Sequence, residues 1–159
     1  MRLLPLVLSA AALAVALVPV VPAQAAALPA VQFVKIYYNS PGSPDNGAQA
    51  SLNGEYAQLK NTTRKAVNLR GWTLRDTTRR ADHVYTFGAF TLGAGKTVTV
   101  RTGKGRDTAT TRYWGRSGGG TFAYIWNQAS DTGYVRNASG KLIDSCSYNN
   151  SRVESVNCS

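Results

Sequence analysis

Along most of the chain, apolar residues recur in short runs with a period of two rather than 3.6. The segment from Lys96 to Arg101 shows it without interruption: Val98 and Val100 fall on one side, Thr97, Thr99 and Arg101 on the other. That alternation belongs to a strand with one buried face. Val31 to Tyr38 and Glu55 to Asn61 read as strands too. So do His83 to Phe87, Arg112 to Gly115, Phe122 to Trp126, Gly133 to Asn137 and Lys141 to Cys146. Val67, Leu69, Trp72 and Leu74 form an inward set across a break at Gly71, which turns Asn68, Arg70, Thr73 and Arg75 to solvent. Ser139-Gly140 predicts a hairpin turn. Asn39 to Asn53, with Pro41, Gly42, Pro44 and Gly47, predicts a long loop, and Ser117 to Gly120 a flexible link. Eight or nine short strands, with turns every eight to twelve residues or so, predict an all-β fold: an antiparallel sandwich or barrel.

The first 25 residues follow neither period. Arg2 supplies a positive start, Leu3 to Val21 is almost wholly apolar, and Ala23-Gln24-Ala25 is a small-x-small cleavage pattern. This reads as a secretory signal peptide over 1–25, ahead of one domain over 26–159. Removing 25 of the 159 residues leaves 134, and the loss of Arg2 takes the formal charge from +10 to +9. One domain of that size can bury a full core without a metal or a dense disulfide frame. Export places the two cysteines, Cys146 and Cys158, in an oxidising compartment, so one disulfide closing a tail loop is expected. A loop of that length contributes about 3 kcal/mol by chain entropy.

An ordered set of motifs resembles a known family. Glu55-Tyr56-Ala57-Gln58-Leu59-Lys60-Asn61-Thr62, then Val67-Asn68-Leu69 and Gly71-Trp72-Thr73-Leu74-Arg75-Asp76, are similar to the opening of lamin tail domains. Tyr85-Thr86-Phe87, Leu92-Gly93-Ala94-Gly95, Tyr113-Trp114-Gly115, Trp126-Asn127, Asp131-Thr132-Gly133 and Gly140-Lys141-Leu142-Ile143-Asp144-Ser145 continue in the family's order. The likeness covers about residues 31–148. It resembles the secreted bacterial branch, in which a lone domain follows a signal peptide and ends in a cysteine pair. The resemblance implies an immunoglobulin-like antiparallel β-sandwich with a binding or scaffolding role and no catalytic positions. Thr78-Arg79-Arg80 is more basic than the family's turn there, and Gly133-Tyr134 replaces a small-apolar pair.

Charge then changes the picture. The chain has 18 Lys+Arg against 8 Asp+Glu. Two stretches hold most of the excess: Lys60 to Arg80 with Asp76 as the one acid, and Lys96 to Arg116 with Asp107. The candidate anion-binding residues are Arg64, Lys65, Arg70, Arg75, Arg79, Arg80, Arg101, Lys104, Arg106, Arg112 and Arg116, with Tyr113 and Trp114 as stacking candidates. Guanidinium forks fit phosphate or carboxylate oxygens, and aromatic faces stack on planar groups. The partners this suggests are a teichoic acid-like envelope polymer, nucleic acid or an anionic membrane surface. A protein partner, met by a sheet edge or loop, is the alternative. No small-molecule substrate is evident, and no cofactor or metal is expected.

Catalysis finds little support. Gly95-Lys96-Thr97 resembles the end of a phosphate-binding loop, but a strand follows it where that motif opens a helix. Gly103-Lys104-Gly105-Arg106 is the better candidate for an anion nest. His83 is the sole histidine and is expected at the surface beside Asp82. The acids are scattered, with no pair suited to glycoside hydrolysis. One carboxylate among Asn39, Asp45 and Asn46 would make a weak calcium site. An extracellular hydrolase is therefore the least favoured reading.

Overall fold

In the computed structural model, residues 27–40 and 45–158 are described. The leader expected over 1–25 and the two prolines of the long loop lie outside them. The strands are β1 (Val31–Tyr37), β2 (Tyr56–Asn61), β3 (Val67–Asn68), β4 (Thr73–Arg75), β5 (Val84–Thr86), β6 (Thr91–Leu92), β7 (Thr97–Arg101), β8 (Thr111–Tyr113), β9 (Ser130–Arg136), β10 (Leu142–Asn149) and β11 (Ser155–Asn157). A five-stranded sheet, in the order β11-β1-β2-β7-β8, faces a four-stranded one ordered β10-β9-β4-β5. A short β3-β6 ribbon lies beside them. The result is an immunoglobulin-like all-β sandwich.

Alternation builds the core between the layers. Ala57 and Leu59 of β2, Val98 and Val100 of β7, Leu74 of β4 and Val135 of β9 all point inward and are buried. In β1, Phe33 and Ile36 are three residues apart yet both face in. A bulge between Phe33 and Lys35 shifts the register by one, so Phe33 opposes Leu59 and Ile36 opposes Ala57. The layers pack tightly at Gly133, where a Cβ would stand 2.8 Å from the Phe33 ring and 2.9 Å from Ile36. Tyr38 and Tyr148 stack at 3.8 Å. Each hydroxyl donates to a backbone carbonyl, of Asn150 and Asn127 respectively. Buried phenols need such an acceptor.

Five elements differ from the sequence reading. Within the expected loop Asn39 to Asn53, a six-residue helix, α1 (Gln49–Gly54), buries Leu52 against Ala123 and Tyr124. A helix that short turns one apolar side chain inward, so no period can show. Phe122 to Trp126 is not a strand: Gly120–Ala123 forms a 3-10 turn, and residues 123–126 are buried in succession. The Ile125 amide is satisfied by the Glu55 carboxylate at 2.8 Å instead of a ladder partner. β8 runs parallel to β7, the one exception to antiparallel pairing among the described strands. β11 adds a strand in the tail, on the outer edge of β1. His83 is buried, its Nδ1 2.6 Å from Asp76 Oδ2.

The expected disulfide is present. Cys146 in β10 joins Cys158, Cα to Cα 5.8 Å, so the bond ties the edge strand of one sheet to the edge strand of the other.

Candidate functional site

The acids are spent within the fold. Glu55 is fully buried and accepts from Thr102 Oγ1 and the Ile125 amide, and burial pushes its carboxyl up to about 8. Asp76 accepts from the Thr78 amide besides meeting His83. Asp131 accepts from the Thr77 amide and hydroxyl and from Asn127. Asp144 takes the Phe33 amide, Glu154 the Tyr37 hydroxyl and Asp45 the Gln128 amide group. Asp107 meets Arg112. Asp82 meets both Arg80 and Arg116 at 2.6 Å, and these guanidiniums hold its carboxyl well below the usual carboxylate range.

This divides the sequence-predicted cations into three sets. Arg80, Arg112 and Arg116 are ion-paired, Arg112 with Asp107 and the other two sharing Asp82. Arg112 and Arg116 are also only 16% and 15% exposed. Arg112 lies over the Phe90 ring at 4.0 Å, and Arg116 donates to the carbonyls of Phe122 and Ala123. Both are therefore withdrawn as free anion-binding groups. The expectation failed at Arg112 because β8 pairs it with Val100, which faces inward.

The second set is held by backbone carbonyls, which orient a guanidinium without cancelling its charge. Arg75 donates through Nε to Asp76 O and through Nη2 to Thr78 O. Arg101 donates to Asn53 O and covers the Tyr56 ring at 5.5 Å. The third set, Arg64, Lys65, Arg70, Arg79, Lys104 and Arg106, is exposed and has no ion pair among the described residues. These residues do not share one face. Arg64 and Lys65 follow the C-terminal end of β2, Lys104 and Arg106 that of β7. The two strands are antiparallel, which sets those pairs at opposite ends of the sheet.

The stacking candidates are largely occupied. Gly105 lies so close to the Tyr113 ring that a Cβ there would stand 2.3 Å from it. Trp114 is half-buried, edge-on to Trp126 at 6.2 Å, and its indole N–H donates to Asp82 O. The Gly103 to Arg106 segment is not an anion nest, because the Lys104 amide is taken by Gln49 Oε1.

One place does bring guanidiniums together. Arg75, Asp76, Thr77, Arg79, Tyr134 and Arg136 line a concavity of about 480 Å³. Arg75 pairs with Tyr134 across β4 and β9, and Thr73 with Arg136, so Arg75 and Arg136 are diagonal neighbours. Leu74 and Val135 point into the core between them, which turns all three outward. Arg79 comes from the loop after β4. That loop is pinned by Thr77 on Asp131 and by Thr78 on Asp76. Tyr134 and Arg136 were absent from the sequence candidates. Their outward phase in Gly133 to Asn137 was legible, but their partner strand was not.

No curated protein matches the chain. The model of the Lamin Tail Domain family matches residues 24–150, a span that contains every strand from β1 to β10. With a match over most of its length and a two-layer β-sandwich to go with it, the chain belongs to the lamin tail domain family.

Proposed function

We propose that this is an exported, non-enzymatic binding domain that attaches to anionic polymers through its surface cations. One observation carries the reading. The acids are consumed by amides, hydroxyls and guanidiniums of the fold itself, while Arg64, Lys65, Arg70, Arg79, Lys104 and Arg106 stand exposed without a carboxylate among the described residues. The outer surface therefore carries a charge excess that its own side chains do not cancel. Such a surface binds polyanions by many screened contacts with release of counterions, so affinity falls steeply with salt. A footprint of about six phosphates loses about 10³ in affinity between about 50 and 200 mM salt.

Cosedimentation with an anionic polymer across ionic strength tests this. Binding that weakens with salt supports the reading; binding indifferent to salt, or none at low salt, removes it. A protein-interaction reading has one observation in its favour. Phe122 is 75% exposed beside a concavity of about 370 Å³ formed with Arg80, Arg116 and residues 117–119. Reversing the charge of Arg79 would leave a partner docked there largely unaffected.

A further inference from the structure

We propose that the concavity between β4 and β9 is a phosphate site, and that its ligand is a polyol phosphate polymer, a chain of phosphodiesters without bases. The proposal rests on the polyanion reading above and deepens it. Three guanidiniums meet here from three directions: Arg75 from β4, Arg136 from β9 and Arg79 from the connecting loop. Diagonal neighbours on adjacent strands stand about 7–8 Å apart at the backbone. That spacing lets two long side chains close on one group between them.

Two of the three guanidiniums are ordered before any ligand arrives. Arg75 is fixed by the carbonyls of Asp76 and Thr78, and Arg136 through Nη1 by Gly140 O. Among the described residues, Arg75 Nη1 and the Nε and Nη2 of Arg136 make no hydrogen bond. Those N–H groups remain to donate. The carboxylate beneath the floor, Asp76, is fully buried and already receives Thr78 and His83. Three guanidiniums against one carboxylate still leave the concavity cationic. Here the protein differs from its own Arg80–Asp82–Arg116 cluster, where a carboxylate fills the gap between two arginines.

The chemistry selects the ligand. A lone carboxylate is satisfied by one fork, whereas three guanidiniums spread over a concavity can meet the paired charged oxygens of successive phosphodiesters along one chain. Recognition of single-stranded nucleic acid uses successive aromatic faces on which bases stack. Tyr134 is the one ring lining this concavity. Tyr37 and Tyr56 stack on each other, and Tyr113 is covered by Gly105. The geometry thus provides for phosphates and makes little provision for bases.

The test titrates the full folded chain with a glycerol phosphate oligomer, and separately with an oligodeoxynucleotide of equal charge, by calorimetry. The variants are Arg79→Gln/Arg136→Gln and, as a control on the five-stranded sheet, Lys60→Gln/Lys96→Gln. The double variant in the concavity should weaken oligomer binding by about tenfold or more, the control by much less. Arg79→Glu alone keeps the test falsifiable should Arg136→Gln disturb the β9–β10 turn, since Arg79 makes no hydrogen bond among the described residues. Undiminished oligomer binding by both variants in the concavity overturns this site while the polyanion reading stands. Tighter binding of the oligonucleotide, lost in the same variants, overturns the ligand class. Failure of the wild type to bind either polymer at low salt removes the site and the broader reading together.

Discussion

Glu55 should make this domain less stable as pH rises, and Glu55→Gln should abolish that loss. The residue sits at the end of α1, fully buried, with Oε1 accepting from Thr102 and Ile125 and Oε2 without a partner. Burial dominates the two hydrogen bonds and raises its carboxyl from 4.5 to about 8. Below 4.5 both the folded and the unfolded chain hold the proton, and nothing is lost. Between 4.5 and about 8 the unfolded chain has released a proton that the folded chain keeps, so raising pH favours unfolding. Each pH unit in that window costs about 1.4 kcal/mol. The loss is about 3 kcal/mol at pH 7 and on the order of 5 kcal/mol once the folded state ionises too. Glutamine keeps the acceptor for Thr102 and Ile125 and carries no charge. Urea unfolding at pH 5, 6, 7 and 8 reads the effect, with the difference between variant and wild type isolating Glu55 from every other titrating group. Glu55→Gln should be near neutral at pH 5 and stabilising by several kcal/mol at pH 8. Parallel pH profiles for the two proteins would mean that the folded chain carries Glu55 ionised, and the burial argument would be wrong.

Two further outcomes follow from the packing. Gly133→Ala drives a methyl against Phe33 and Ile36, both fully buried, and should destabilise the domain by about 1–3 kcal/mol in the same urea assay; an unchanged midpoint would show that the layers can part there. Cys146→Ser/Cys158→Ser should lower stability by about 3 kcal/mol and strip hydrogen-exchange protection from β11 while leaving β2 protected, and persistent protection of β11 would show that its ladder to β1 suffices.

Much of the sandwich was legible wherever a strand has one wet face. β2 and β7 could be placed within a residue or so because Ala57, Leu59, Val98 and Val100 alternate with polar neighbours, and β1 because it is a compact run of β-branched and aromatic residues. Where burial is complete, as over 123–126, alternation vanishes and the run imitates a strand. Where an element offers a single apolar contact, as α1 does with Leu52, there is no period to find. The site was harder for a different reason. The sequence showed an excess of arginine, but not which arginines meet a carboxylate. Arg112 and Arg116 find Asp107 and Asp82 only through the parallel β7–β8 pairing and the path of the Gly120–Ala123 turn. Arg75 and Arg136, 61 positions apart, become neighbours through a register that no local pattern encodes.

Having its carboxylates locked into the scaffold gives the exterior an unusual constancy. Of the 18 basic residues 12 are arginine, a group that does not give up its proton within any habitable acidity. Neutral or mildly alkaline surroundings can therefore neither switch the coat off nor invert it. Moderate acidification leaves Arg80 and Arg116 paired as well, because they hold the Asp82 carboxyl well below the usual carboxylate range. A polyanion held as proposed would therefore be released by salt rather than by acid.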